Sequence, residues 1–389
     1  MGGTNLVPLF LCVGGGIRMA CSFGIYLDLE ILTYRKYATV SRSAIASKKE
    51  KIVYLCKQKL SAMKRREFLQ LCGGMIIASQ LPEKVYASLL EPVAGLTALK
   101  NIKKLTIAVG ATSPIRALHL SDTHLTRVDE RDNERKRALA ASRQRAFPWA
   151  EHYFDAAIRY ARENNLMVLH TGDLQDFVSE ANIEFITEQL GIGRWYVAAG
   201  NHEYSQYVGE AKEDAAYKAQ SYRKVQLAFP NDLTVASQVI NGVNFVAFDD
   251  VYYNVTAEQY AAIKREFEKG LPVVLMCHVP LYTPEHCRSI LAGNKGLAGY
   301  MTGAPRHITD TYQQDPSRPA SEQWRNRSVQ QRADEPTLAF IAWLKEQPLL
   351  KAILCGHTHS FYQERFSPTA IQYTVEAGYM GGAYEIEFV

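Results

Sequence analysis

Five short polar motifs, each entered from an apolar run, constrain this chain more than any other feature. Residues 115–121 lead into Asp122-Thr123-His124, and 166–170 into Gly172-Asp173. Residues 195–199 lead into Gly200-Asn201-His202-Glu203, 272–277 into His278, and 352–355 into Gly356-His357-Thr358-His359. Short apolar runs without a polar face read as strands buried on both sides, so each motif sits at a strand's carboxyl end. Between them, residues 147–164 space Phe147, Phe154, Ile158 and Ala161 along one helical face. Thr256 reads as the cap of a helix running to about residue 269, and residues 338–345 read as a further helix. Strands alternating with helices predict an α/β fold of parallel strands with crossover helices. Residues 234–240 and 243–248, joined by Asn241-Gly242, predict a hairpin. The tail alternates as strands, including 371–375 and 384–388.

The motifs offer two aspartates, one asparagine and five of the chain's ten histidines. This is the donor set of a two-metal hydrolytic site. Phosphate esters are anionic and resist attack by water. Their hydrolysis needs charge neutralisation and hydroxide near neutral pH, and two cations roughly 3.5–4 Å apart supply both.

The ordered series Asp-x-His, Gly-Asp, Gly-Asn-His-Glu, His, Gly-His-x-His resembles that of the calcineurin-like metallophosphoesterases. The resemblance spans roughly residues 115–389 and leaves no ligand position unfilled. It implies a four-layer αββα sandwich of two mixed β-sheets, with the site on loops at the strand ends. It also implies two divalent or trivalent metal ions (Mn, Fe, Zn or Co). Asp122, His124 and His359 would complete one shell, Asn201, His278 and His357 the other, and Asp173 would bridge them. His202 is implied to face the substrate, stabilising phosphoryl oxygens or protonating the leaving group. The reaction implied is hydrolysis of phosphate mono- or diesters through metal-bound hydroxide, on a small phosphorylated substrate. A nuclease of the same superfamily and a non-catalytic scaffold are the alternatives; a scaffold would be expected to have lost ligands or His202.

Purple acid phosphatases replace the histidine of Asp-x-His and carry tyrosine in Gly-Asp-x-x-Tyr. Here those positions are His124 and Asp176, so a tyrosinate–iron site is not expected. Asp176 reads either as a carboxylate supporting a ligand from behind or as an exposed loop residue. His119 and His170 each precede a motif aspartate by three residues. They read as buried strand histidines or as partners of ligands rather than as ligands.

The net charge of +4 is unevenly distributed. Residues 1–66 hold twelve Lys/Arg against three Asp/Glu, leaving 32 against 37 in the remainder. A mildly acidic body argues against duplex nucleic acid as a partner, which would need a basic face. Met63-Lys64-Arg65-Arg66 opens a positive segment, followed by the short apolar stretch 71–78 and Val85-Tyr86-Ala87. That is the pattern of a signal peptide over 63–87, and the arginine pair followed by x-Phe-Leu resembles a twin-arginine export signal. The twin-arginine export machinery is then an expected partner, and a periplasmic or other extracytoplasmic location in a bacterium is expected. The alternative is a cytoplasmic protein whose arginine pair is coincidental. Residues 1–62 read as an over-extended gene start ahead of Met63, or else as a membrane-associated prefix. The apolar stretch is too short and too rich in Gly and Ser for a transmembrane helix, so no stable membrane anchor is expected.

The catalytic domain is expected over 100–389. Two segments interrupt it: a charge-dense stretch at 127–145 that reads as a solvated loop and helix, and a long irregular insertion at 284–336 that departs just after His278. The second reads as a cap over the site or a mobile surface loop. Its His286, Arg288, Arg306 and His307 are candidates to reach a phosphate, or else surface residues. Cys277, Cys287 and Cys355 make no disulfide framework. Cys277 and Cys355 read as small buried hydrophobes, with thiolate ligation the alternative.

Overall fold

The computed structural model describes residues 98–389 apart from 210–213, 315–318, 320 and 322–324. It also describes the backbone of three short strands near the start, β1 (Phe10–Val13), β2 (Gly16–Ala20) and β3 (Tyr26–Leu29), which pair antiparallel in that order. These belong to a unit spanning Met1–Glu91. The expected signal peptide at 63–87 lies outside the described residues, as does the rest of the extension at 1–62.

The unit Pro92–Val389 contains two mixed sheets. One is formed by β4 (Asn101–Ile107), β5 (Ile115–Leu120), β6 (Met167–His170), β7 (Trp195–Val197) and β14 (Gly382–Phe388), in the order β4-β14-β5-β6-β7. The other contains β8 (Val235–Ile240), β9 (Val243–Phe248), β10 (Val273–Met276), β11 (Leu350–Cys355), β12 (Tyr362–Arg365) and β13 (Ile371–Thr374). Its order is β12-β13-β11-β10-β9-β8. The strands that lead into the five motifs pair parallel with one another, β5 with β6, β6 with β7 and β10 with β11. The predicted hairpin is β8–β9. Asn241 and Gly242 at its tip both have positive φ, 45° and 80°, as a two-residue type I′ turn requires.

Strand alternation explains the layering. Ala117, Met167 and Leu169 face the same inter-sheet core as Phe245, Ala247, Val274, Met276, Ala352 and Leu354. Their neighbours point the other way, to the helices. Leu118, Leu120 and Val168 meet Phe154 and Ile158 of α2 (Ala150–Glu163), Ile186 of α3 (Glu180–Leu190) and Val225 of α4 (Ala215–Ala228). Val246, Phe248, Leu275 and Ile353 meet Ile263 of α5 (Ala257–Phe267) and Phe340 of α9 (Glu335–Lys345). The result is the αββα sandwich. Between the sheets Phe245 and Phe388 meet edge to face at 5.3 Å. Burying such a ring contributes roughly 1.5–3 kcal/mol, and truncating Phe245 to alanine would cost about 3–5 kcal/mol.

The helix starts follow from their caps. Thr256 Oγ1 accepts from Gln259 N while Gln259 returns its side-chain oxygen to Thr256 N. Asp334 accepts from Thr337 N, with Pro336 in the first turn of α9.

The first interruption has the expected helix, and the second is more ordered than expected. The segment 127–145 contains α1 (Glu134–Ala146), capped by Asn133, and one of its arginines turns inward, as described below. The segment 284–336 is not irregular throughout. It forms α6 (Pro284–Gly293) and the single turns α7 (Arg306–Thr309) and α8 (Arg327–Gln330). Tyr282, Cys287, Met301 and Ala304 give it a small apolar cluster of its own. Four apolar residues spread over more than twenty positions leave no period to read. Among the described residues no helix is long and apolar enough to cross a membrane.

Candidate metal centre

The loops after β5, β6 and β7 and those after β10 and β11 supply one floor. Asp122, His124 and His359 bring their donor atoms within 4.8 Å of one another, and so do Asp173, His278 and His357. Asp173 Oδ2 lies 3.3 Å from His278 Nε2 and 3.7 Å from His124 Nε2, between the two groups. Asn201 and His202 start a 3-10 turn after β7, and both line the cleft above this floor. The structure therefore brings all eight motif-derived residues to one place. His202 also joins His124 and Asp173 in a third group of the same span.

The convergence is held by unusual backbone. Asp122, His124, Asp173, His357 and His359 all have positive φ, between 49° and 67°. That region is sparsely used by residues other than glycine and costs roughly 1–3 kcal/mol per residue, so surrounding contacts must hold it. They do. Asp122 N donates to Gly172 O and His124 N to Asp173 O, lacing the first two loops together. His357 N donates to Asp122 Oδ2 at 2.9 Å, joining the two sheets' loops. Glu203, fully buried, accepts from the backbone of Gly200, Asp173 and Leu174 at 2.6–2.7 Å. A Cβ on Gly200 would strike Asp173, and one on Gly356 would strike Ser121 and Asp122. The glycines of these motifs are thus required by close approach of the loops.

Each histidine is oriented by its other ring nitrogen. His278 Nδ1 donates to Thr171 O at 2.7 Å, which turns Nε2 toward Asp173. His124 Nδ1 donates to Asp176 Oδ1 at 2.9 Å, and Phe147 stacks on its ring at 4.6 Å. Tyr253 OH lies 3.1 Å from His357 Nε2, and Tyr379 OH 3.2 Å from His359 Nδ1. Such outer partners fix tautomer and ring direction. Asp176 proves to be buried. It also takes a two-pronged contact from Arg143 (Nε to Oδ2 2.6 Å, Nη2 to Oδ1 2.8 Å) and lies 3.1 Å from His202 Nδ1.

The electrostatics follow from burial and pairing. Burial opposes the charge on Asp122 and Asp173, but His359 beside the first and His278 beside the second hold both below the usual carboxylate range. Burial likewise lowers His278, yet the Asp173 and Asp122 carboxylates outweigh it and push the ring up to about 10. His202 is raised to about 10 in the same way, by Asp173 and Asp176 against burial. His357, buried and facing the cationic His278, is lowered to about 3. His119 and His170 are also lowered to about 3, by burial above all. His119 Nε2 lies 2.9 Å from Thr171 Oγ1 and His170 Nδ1 accepts from Gly172 N, so both are strand histidines bracing the floor.

Do these residues fit a metal? Asn201 Oδ1 and His124 Nε2 are buried without any hydrogen-bond partner. An unpaired buried polar atom costs roughly 1–3 kcal/mol, and here both belong to a cluster of nitrogen and carboxylate donors suited to first-row transition ions. The residues fit.

The cleft has a volume of about 540 Å³. It shows several residues that the motifs do not reveal: Arg143, Phe147, Tyr253, Tyr300 and Arg327 all line it. Of the four insertion residues considered as phosphate contacts, only His286 lines the cleft, and its ring is buried and stacked on Tyr362 at 4.1 Å. Arg288 pairs with Glu285 and Arg306 with Asp310 on the surface, and His307 is exposed. Cys277 and Cys355 are buried free thiols 3.6 Å apart, behind the floor.

The family model described as calcineurin-like phosphoesterase matches residues 115–361, more than half of the chain. No curated protein sequence matches it. Among solved structures, the chain is similar to a dimetal phosphatase from Danio rerio, with 13% identity and a TM-score of 0.35, over 69% of this chain and 89% of that one. It is also similar to a 5′-nucleotidase from Candida albicans, with 13% identity and a TM-score of 0.35, over 72% of this chain. The chain spans 47% of that nucleotidase's length.

Proposed function

This chain belongs to the calcineurin-like phosphoesterase family, and we propose that within it the protein is a dinuclear metal-dependent hydrolase of small phosphate mono- or diesters. The observation that carries the reading is Asp173, a single carboxylate set between His124 on one side and His278 on the other. Asp122, His124 and His359 would hold one ion, Asn201, His278 and His357 the other, and Asp173 both. Manganese, iron, zinc and cobalt all suit this donor set. When bound, the ions supply charge neutralisation at the phosphoryl group and a water acidified toward neutral pH.

The chain's own residues do the rest. His202 Nδ1 donates to the backbone carbonyl of Asp176 at 2.8 Å, which leaves Nε2 for the cleft. With its pKa held up by Asp173 and Asp176 against burial, the ring carries a proton at neutral pH in the metal-free protein. It can donate that proton to a phosphoryl oxygen or to the departing alkoxide, a role typically contributing about 10²–10⁴-fold. Asp176 orients His202 and His124 together, so donor and ligand share one tether. Arg143 commits Nε and Nη2 to Asp176 and presents the remainder of its guanidinium along the cleft, where a fork of donors suits phosphate oxygens.

The test is a panel of phosphate mono- and diesters run on protein purified with its native metals, alongside elemental analysis. Turnover that tracks metal content supports the reading, and metal-loaded protein inert on every ester defeats it. The pattern over residues 63–87 supports action outside the cytoplasm, and sequencing the mature protein would then find its first residue at or near Ser88.

A further inference from the structure

The cleft wall contributed by the 284–336 segment places Tyr300 beside the metal-ligand candidate His357, with ring centroids 5.7 Å apart. Tyr300 is half-buried, lines the cleft, and has φ of 49°. A bulky residue in the left-handed region is rare and persists only where its surroundings impose it. Those surroundings are built. Tyr300 N donates to the buried Gln331 at 2.9 Å. Thr302 N donates to Pro280 O at 2.9 Å, and Tyr282 N to Thr302 O at 2.8 Å. Thr302 Oγ1 donates to the buried Asp250, whose other oxygen accepts from His278 N and Val279 N at 3.2 and 3.0 Å. One carboxylate thereby ties the Tyr300 loop to the loop of a ligand. Asp250 also precedes the turn carrying Tyr253, whose hydroxyl lies 3.1 Å from His357 Nε2.

We propose that Tyr300 is a specificity-determining residue: its ring is the face on which the organic group of the substrate rests, and that group is a planar aromatic or heteroaromatic ring. This rests on reading the cleft as a phosphoester site. A loop strained and stapled in this way holds a tyrosine ring against His357, whereas Phe147 stacks on His124, and Tyr300 is not itself among the donors of the floor. Arg327 lies over the same ring, its guanidinium carbon 5.6 Å from the centroid, and Tyr362 lines the same cleft. An aromatic wall favours a ring over an alkyl group of similar size through stacking, by a factor on the order of tenfold.

The test uses metal-loaded full-length protein, its Tyr300→Leu variant, and Tyr300→Phe as the conservative control. Calorimetric titration compares phenylphosphonate with methylphosphonate, and turnover compares phenyl phosphate with glycerol 1-phosphate. Wild type should bind phenylphosphonate about tenfold more tightly than methylphosphonate. Tyr300→Leu should abolish that preference and raise KM for phenyl phosphate by a larger factor than for glycerol 1-phosphate. Tyr300→Phe should retain the preference. Wild type without a phenyl preference overturns the assignment, as does equal weakening of both ligands in Tyr300→Leu or equal loss in Tyr300→Phe. Wild type inert on both esters defeats the phosphomonoesterase reading instead, and the phosphonate ratio still decides the role of Tyr300.

Discussion

The cleft's floor is assembled from the ends of five buried strands, whereas its wall at 284–336 packs around a small cluster of its own. On the floor each polar group serves several partners. Asp176 holds His124, His202 and Arg143 at once, and Glu203 spans the loops after β6 and β7. On the wall, the exposed ion pairs of α6 and α7 are short-range: Arg288 meets Glu285 and Arg306 meets Asp310 within one helical turn. Damage to the floor should therefore spread through the whole site, and damage to these exposed wall pairs should stay local.

Asp173→Asn tests the floor hardest. It weakens the carboxylate set between both donor groups, so metal content should fall at both sites and turnover should drop to background. Two retained ions with near-normal activity would remove the distinction between a shared floor and a local wall.

His202→Ala should separate chemistry from metal binding. Metal stoichiometry should stay near wild type while kcat falls roughly 10²–10⁴-fold. The loss should be larger for alkyl esters than for 4-nitrophenyl phosphate, whose leaving group departs without a proton. Loss of a metal would make His202 a ligand, which its place beside His124 and Asp173 leaves as the opposing outcome.

Asp176→Asn should be intermediate. Removing the charge that orients both His124 and His202 should lower activity or metal affinity by about 10–100-fold. An effect confined to kcat, with metal affinity untouched, would show that the tether serves His202 alone.

The floor should also show itself in protons. His278 is raised to about 10 in the metal-free protein, so it is protonated at pH 8 and must give up that proton to coordinate. His357, lowered to about 3, is already neutral. Ion uptake should thus release close to one proton in weakly buffered solution, and affinity should rise by up to about tenfold per pH unit below pH 10. Release of no proton would contradict the charge state assigned to His278. Arg288→Ala, by contrast, breaks an exposed wall pair and should leave kcat/KM within about twofold, since such pairs contribute little. A large loss there would break the comparison from the other side.

The strands and the motif residues were legible because each motif abuts its strand in sequence. A buried strand announces itself by an unbroken apolar run, and whatever follows it must sit at the sheet's end. Helices with caps, such as that begun by Thr256, were equally local. Arg143 was hidden in a segment that reads as solvated, since its partner Asp176 lies 33 residues away. Asp176 itself stood open between a buried and an exposed role until the fold placed it under two histidines.

What the chain determined by itself is therefore the α/β alternation, the order of the motifs and the chemical type of each donor, all encoded within a few residues of one another. Tertiary structure alone decided which donors face which, and what stands over them. His357 N reaches Asp122 across 235 residues, and Tyr300 meets His357 only because Asp250 and Gln331 hold its loop in a strained path. Such meetings depend on sheet order and loop course. These are set by packing two apolar sheets face to face, an interaction summed over the whole core and carried by no single motif.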